Sequence, residues 1–461
     1  MQTSTSILTR KAFCLAMVLT FLSLACCPLM AQLKVVLYYD SLQGLGKKAE
    51  FSARVQDYDT LKEGEFKSFY PKGQVAVTGQ YADNLKEGLF TEWYPGGEKK
   101  SEVFFVKGKK EGATSAWFSN GKWMQKGQYK NGQLHDTLFA WHPNGRLKSK
   151  GKFERDSLEG LVLEWWPNGN LKQELIYARH QPNGICKEYY ESGVLHIEAN
   201  YMAGVLNGDY KTFYSNGKLD TESSMKAGTK DGNYKTYNDQ GNLFLEGTYK
   251  NGYVHGLTKG YHNNGQLRYQ VPYTMGKKDG KASYYFPSGK NEKIVRFYNL
   301  EDGKEEVHYF ENGKVKLEVN LLKDKPVGTK RSNFANGKKQ LIENYDEAGK
   351  LNGTRQLYDS TGTLLEEENY LAGKRSGTQI YFHSTGKKAK EINYLGGSRA
   401  GEIKEFDEKG KLTTMGQFKN DKETGVWKHY DPEGQVIKTI TFRNGVVGAT
   451  REYKPGQYRG K

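Results

Sequence analysis

From Gly64 to Gly448 a glycine returns about every 24 residues, and no other feature limits the fold of this chain as strongly. The span is 384 residues, or 16 × 24, and only the steps to Gly353 (25 residues) and Gly448 (23) deviate. Asp136 and Lys304 fill the two slots that lack a glycine. Glycine at this frequency breaks helices, and no apolar period of 3.6 residues is sustained after the first thirty-one residues. A repeat this short cannot bury a core alone, so each unit must pack against its neighbours.

Counting the marker as position 0, an aromatic stands at position 5 from Phe69 to Tyr430, and only Asn333 breaks that column. Position 9 is glycine in all sixteen units, Gly73 to Gly434, and in seven of them asparagine precedes it. A second aromatic column occupies position 17, from Tyr81 to Phe442, with Met225 and Leu321 as exceptions. Leucine or valine is frequent at position 11, as in Leu147 and Leu219. Short segments rich in Tyr, Phe, Val and Thr read as strands. Asn-Gly between two such segments reads as a hairpin turn with φ > 0 at both residues. A second glycine-bearing connection, such as Lys250-Asn251-Gly252, leads into the next hairpin.

The expected fold is therefore all-β: an elongated repeat array of tandem ~24-residue β-hairpins forming a long twisted antiparallel sheet. The aromatics read as structural columns first. Trp93, Trp117, Trp141 and Trp165 put tryptophan at one position in four successive units, and they are the candidate binding surface.

The pattern Gly-x4-aromatic-aromatic-x-Asn-Gly-x-Leu, followed by Tyr-x2-Gly-x3-Gly, resembles the MORN (membrane occupation and recognition nexus) repeat in its bacterial variant form. Tyr214-Ser-Asn-Gly-Lys-Leu219 and Trp166-Pro-Asn-Gly-Asn-Leu171 carry the likeness. The resemblance implies a scaffold or adaptor that makes protein or lipid contacts. Relatives that bear an antitoxin label imply, more weakly, a protein that neutralises a toxin.

Residues 1–31 read as a signal peptide, with Arg10 and Lys11 before the uncharged run Ala12 to Cys27. Export to the periplasm or cell surface is the expectation. Cys26 or Cys27, after Leu22-Ser-Leu-Ala25, offers lipid anchoring as an alternative. Residues 32–63 are expected to form an N-terminal β cap, 64–447 the sixteen repeats and 448–461 a C-terminal cap. Irregularities at Asn291–Lys304 and Asn333–Gly353 predict a bend within 290–353. Three of the four cysteines fall in residues 1–31, which leaves Cys186 without a partner for an internal disulfide and with a structural role.

The net charge of +16 becomes +14 without Arg10 and Lys11, under one charge per repeat if evenly spread. Such an excess favours anionic surfaces weakly. Motifs for chemistry are missing from the sequence. Gly44-Leu-Gly46-Lys-Lys-Ala49 has no helix after it, no Gly-Lys-Ser or Gly-Lys-Thr occurs, and the nine histidines show no zinc-type pairing. Glu366-Glu367-Glu368 reads as a solvated acidic face. The expectation is a protein that is no enzyme and has no catalytic residues, cofactor or metal. It is instead an exported scaffold presenting a repeat-built β surface to a protein partner at the cell envelope. An anionic lipid or polysaccharide surface is the alternative ligand, a toxin the weaker one, and nucleic acid is not expected. Free sheet edges also allow self-association.

Overall fold

The computed structural model describes residues 33–39, 46–56, 59–298 and 302–458. Thirty-nine strands, from Leu33–Tyr38 to Val446–Glu452, form one open antiparallel sheet of tandem hairpins, and no helix occurs among the described residues. The all-β hairpin array expected from the glycine register is the fold. Two compact units divide the chain between Gly217 and Lys218. The expected signal peptide, Cys26, Cys27 and Gly44 lie outside the described residues.

The two kinds of turn are the reverse of the expectation. At the Asn-Gly connection only the glycine has positive φ, as in Gly145 at 90°. Gly145 N–H donates to His142 O at 2.8 Å, and His142 N–H donates to Arg146 O at 2.8 Å. This is a type I turn closed by a left-handed glycine, the three-residue hairpin loop with a G1 bulge. The mirror-image two-residue turn occurs at the other connection: Asp83 and Asn84 have φ of 50° and 64° between paired Ala82 and Leu85. Asn131-Gly132 follows the same rule.

The marker glycine serves a different purpose. Thr78 pairs with Thr91 and Gln80 with Glu87, so Gly79 faces the three residues Gly88, Leu89 and Phe90. Gly88 takes φ 74° in this bulge, a conformation that favours glycine. Asp136 stands in a glycine slot and adopts the same left-handed form, φ 66°. Lys304 breaks the rule: pairing runs unshifted from Lys293↔His308 to Tyr298↔Gly303, so this boundary has no bulge. That is the structural content of the irregularity the sequence shows near Lys304. At the inserted residue near Gly353, Tyr345 bridges Leu351 before regular pairing resumes.

Strand alternation places the two aromatic columns on opposite faces of the sheet. Position 17 shares its face with positions 2 and 15, which are the more buried. In the first unit Phe51, Phe66, Tyr81, Phe90 and Phe105 touch in sequence, with ring centroids 5.2–6.4 Å apart. Glycine makes room for them: a Cβ on Gly79 would fall 2.6 Å from the Phe90 ring. Cations cover the rings from above, Lys62 over Tyr81 at 4.9 Å and Lys86 over Phe105 at 4.8 Å. In the second unit the same face holds Val271, Ala282 and Val295, and further along Ile392, Ile403 and Phe418.

Between those apolar clusters the buried positions turn polar. Lys330 lies 2.9 Å from Glu343, Arg355 3.7 Å from Glu343 and 2.9 Å from Glu368, and Arg375 2.5 Å from Glu368. Glu368 is only 2 % exposed and also accepts from the Tyr370 and Tyr381 hydroxyls at 3.0 and 3.2 Å. It is an ion-ladder member, not part of a solvated face as the acidic run suggests.

Side chains also bind each unit to the next along the turn edges. Asn120, Asn144 and Asn168 donate from Nδ2 to Pro143 O, Pro167 O and Glu191 O at 2.8–2.9 Å. Asn264, Asn312 and Asn336 do the same in the second unit. Tyr70, Tyr94 and Tyr190 donate their hydroxyls to the carbonyls of Trp93, Trp117 and Phe213. Tyr39 joins this row through Phe69 O at 2.7 Å, which stitches the N-terminal segment to the first repeat.

Candidate binding surface

Trp93, Trp117, Trp141 and Trp165 are all half-buried on the face opposite the position-17 column. The structure packs two of them into a ring cluster, using residues that the position-5 register does not reveal. Trp117 and Trp123 stack with centroids 4.8 Å apart, Trp123 lies 6.3 Å from Trp141, and Phe139 lies 6.0 Å from Trp141. Trp123 stands opposite Trp117 across the hairpin, so the pairing itself brings them together. Trp93 and Trp165 occupy the same register one unit to either side, where their carbonyls accept from Tyr70 and His142.

The charge around this cluster is not diffuse. Between positions 112 and 153 there are seven cations, Lys122, Lys126, Lys130, Arg146, Lys148, Lys150 and Lys152, against one acid, Asp136. Asp136 Oδ1 accepts from Thr137 N–H at 2.8 Å. Lys126 Nζ sits 4.1 Å from the Trp123 centroid, and Lys150 sits 5.8 Å from Phe139. An average over sixteen repeats hides this concentration.

The same face carries exposed apolar side chains in the first unit. Leu89 pairs with Phe104 and Leu161 with Ile176; Leu161, Ile176 and the nearby Ile185 are 53 %, 38 % and 52 % exposed. Beside them the face becomes a zipper: Lys187 and Lys211 lie 3.8 and 3.6 Å from Glu198, and Tyr189 OH donates to Glu174 at 3.1 Å. In the second unit Tyr237 donates to Glu222 at 2.9 Å and Tyr261 to Glu246 at 2.7 Å. Burial, then the neighbouring carboxylate, pushes Tyr189, Tyr237 and Tyr261 up to about 12. The Tyr261 hydroxyl holds Glu246 below the usual carboxylate range.

The buried ladder shifts its own groups. Burial, Arg375 notwithstanding, pushes Tyr381 up to about 12. Burial alone would lower Arg355, but Glu366 and Glu368 outweigh it and raise its pKa. Cys186 is buried, and burial pushes its thiol up, which suits packing and not reactivity. Several scattered histidines act as rungs: His142, His262 and His383 each hold a carbonyl of the next unit through Nε2 at 2.8–2.9 Å.

Ten segments match the MORN repeat variant family model, at residues 62–83, 86–107, 158–178, 182–202, 206–227, 230–251, 254–274, 351–372, 399–420 and 423–444. The chain is a MORN-repeat protein. No curated protein matches this MORN chain. Among solved structures it is similar to the crystal structure of TcdB2-TccC3 at 12 % identity, covering 88 % of this chain and 26 % of that one, with a TM-score of 0.15. The crystal structure of TcdB2-TccC3-Cdc42 matches at 12 % identity over 90 % of this chain and 26 % of that one, with a TM-score of 0.12. The chain thus spans about a quarter of the length of either, and at these TM-scores neither likeness carries an argument.

Proposed function

We propose that this MORN-repeat chain is a non-enzymatic, exported scaffold that presents one face of its repeat sheet to a protein partner at the cell envelope. The observation that carries the reading is the apolar cross-strand set Leu161, Ile176 and Ile185, which stands open beside the paired Lys, Glu and Tyr of the same face. Apolar side chains grouped within a polar rim are the usual make-up of a protein contact. Arg10, Lys11 and the apolar run after them support the export part of this reading.

The test captures partners from envelope fractions with the full chain and with Leu161→Ser/Ile176→Ser. Both positions are solvent-facing, so the double variant keeps the fold. The reading requires a defined partner that the variant loses. Equal capture by both forms refutes the assigned surface, and an intact N-terminus on cytoplasmic protein refutes export.

A further inference from the structure

We propose that the cluster of Trp117, Trp123, Phe139 and Trp141, with Lys126, Lys148, Lys150 and Lys152 around it, is a binding site for an anionic polysaccharide. The inference goes beyond the scaffold reading and stands without it.

Three observations carry it. First, the charge is uncompensated. None of the seven cations between 112 and 153 forms an ion pair with a carboxylate among the described residues, whereas Lys99 and Lys172 just outside are paired with Glu102 and Glu164. A cationic surface that folding leaves unneutralised attracts polyanions at long range. Secondly, the charges share a face with the rings. Lys150 lies over Phe139, and alternation along the strand Leu147–Glu154 turns Lys148 and Lys152 to the same side. Lys126, Lys148, Lys150 and Lys152 are all exposed. Thirdly, the spacing is regular. Lys126 and Lys150 hold the same position two strands apart, ~9.6 Å, and charges two residues apart on one strand are separated by ~6.8 Å.

This geometry favours a glycan over a lipid surface. The step from Lys126 to Lys150 is about that of one extended disaccharide, so every second carboxylate of a polyuronate chain would meet a lysine. A bilayer would require apolar side chains that protrude to enter it. The tryptophans here lie half-buried. A sugar can lie along the exposed margin of this ring cluster without insertion while its carboxylates or sulfates reach the ammonium groups.

The experiment measures binding of the full chain to oligogalacturonate by calorimetry and by quenching of tryptophan fluorescence. Neutral dextran, poly(dT) and phosphatidylglycerol vesicles are run alongside. Oligogalacturonate should bind, quench the indoles and weaken as salt rises. Lys126→Gln/Lys150→Gln should weaken binding at least tenfold with an unchanged melting temperature. Lys126→Arg/Lys150→Arg should retain it. Unaltered affinity in the glutamine double variant would overturn the site. So would equal binding of neutral dextran, or tighter binding of poly(dT) or vesicles than of oligogalacturonate.

Discussion

Replacing Glu368 by glutamine tests whether the buried ion ladder holds the second unit together. Glu368 is almost fully buried and receives Arg355, Arg375, Tyr370 and Tyr381. Glutamine keeps the volume but turns an N–H2 toward one of the two guanidinium groups and removes the anion between them. Breaking a buried pair by removing one partner costs about 3–5 kcal/mol. The lower end applies, because Arg355 keeps Glu366 at 2.9 Å and both arginines retain some contact with water. In a repeat array such a loss is felt mainly by the neighbouring strands. Amides in Gly353–Tyr358, Leu364–Leu371 and Gly377–Phe382 should therefore exchange roughly 100-fold faster, since ~1.4 kcal/mol is tenfold. Hydrogen exchange with mass spectrometry reads this directly, with the exposed Glu408→Gln as the control that should move little. Arg355→Met/Glu368→Leu/Arg375→Met should recover most of the loss, because well-packed apolar residues replace a whole buried ionic group at little cost. Wild-type exchange in Glu368→Gln would show that the ladder is an incidental arrangement of side chains.

Gly88→Ala leaves its Cβ in open space but at φ 74°, so calorimetry should show a loss of about 1–2 kcal/mol from backbone strain alone. Gly247→Ala, whose Cβ would fall 2.8 Å from the Tyr234 ring, should lose about 1–3 kcal/mol by overpacking; if both are neutral, the glycines are not required by geometry. Asn144→Ala removes the bond to Pro167 O and the one to Arg146 N–H, and should cost about 1 kcal/mol with faster exchange near Gly169. Tyr237 and Tyr261 titrate near 12 in the fold against about 10 when unfolded, so their contribution is complete below pH 10 and is lost as pH rises through 12. Tyr237→Phe/Tyr261→Phe should flatten the fall in melting temperature between pH 10 and 12, and an unchanged slope would reject the assignment.

The hairpin array was legible because glycine at positions 0 and 9 and aromatics at 5 and 17 recur in nearly every unit. What the strand period could not reveal was the effect of the bulges. Glycine occurs at turns of both kinds, and only the pairing distinguishes the single left-handed residue at Gly145 from a left-handed pair such as Asn131-Gly132. The marker bulge sets which residues are most buried. Positions 2 and 15 vary from Phe90 with Gly79 to Arg355 with Glu368, because each pair compensates itself in size or charge. A search for one conserved-looking residue type down a column passes over such pairs. The tryptophan column was visible, but its packed cluster needed Trp123 and Phe139, which enter from a different position on the facing strand.

The stitches along both turn edges join residues only 20–24 places apart. No strand waits for a partner hundreds of residues away, so a hairpin emerging from the ribosome can settle as soon as the next one follows. Excising one whole period, residues 232–255, would bring Asp231 against Gly256 and leave every later register intact. Length in such a chain is thus a quantity that duplication or deletion can adjust in steps, while a change of another size has to be absorbed between strands, as the extra residue before Gly353 is.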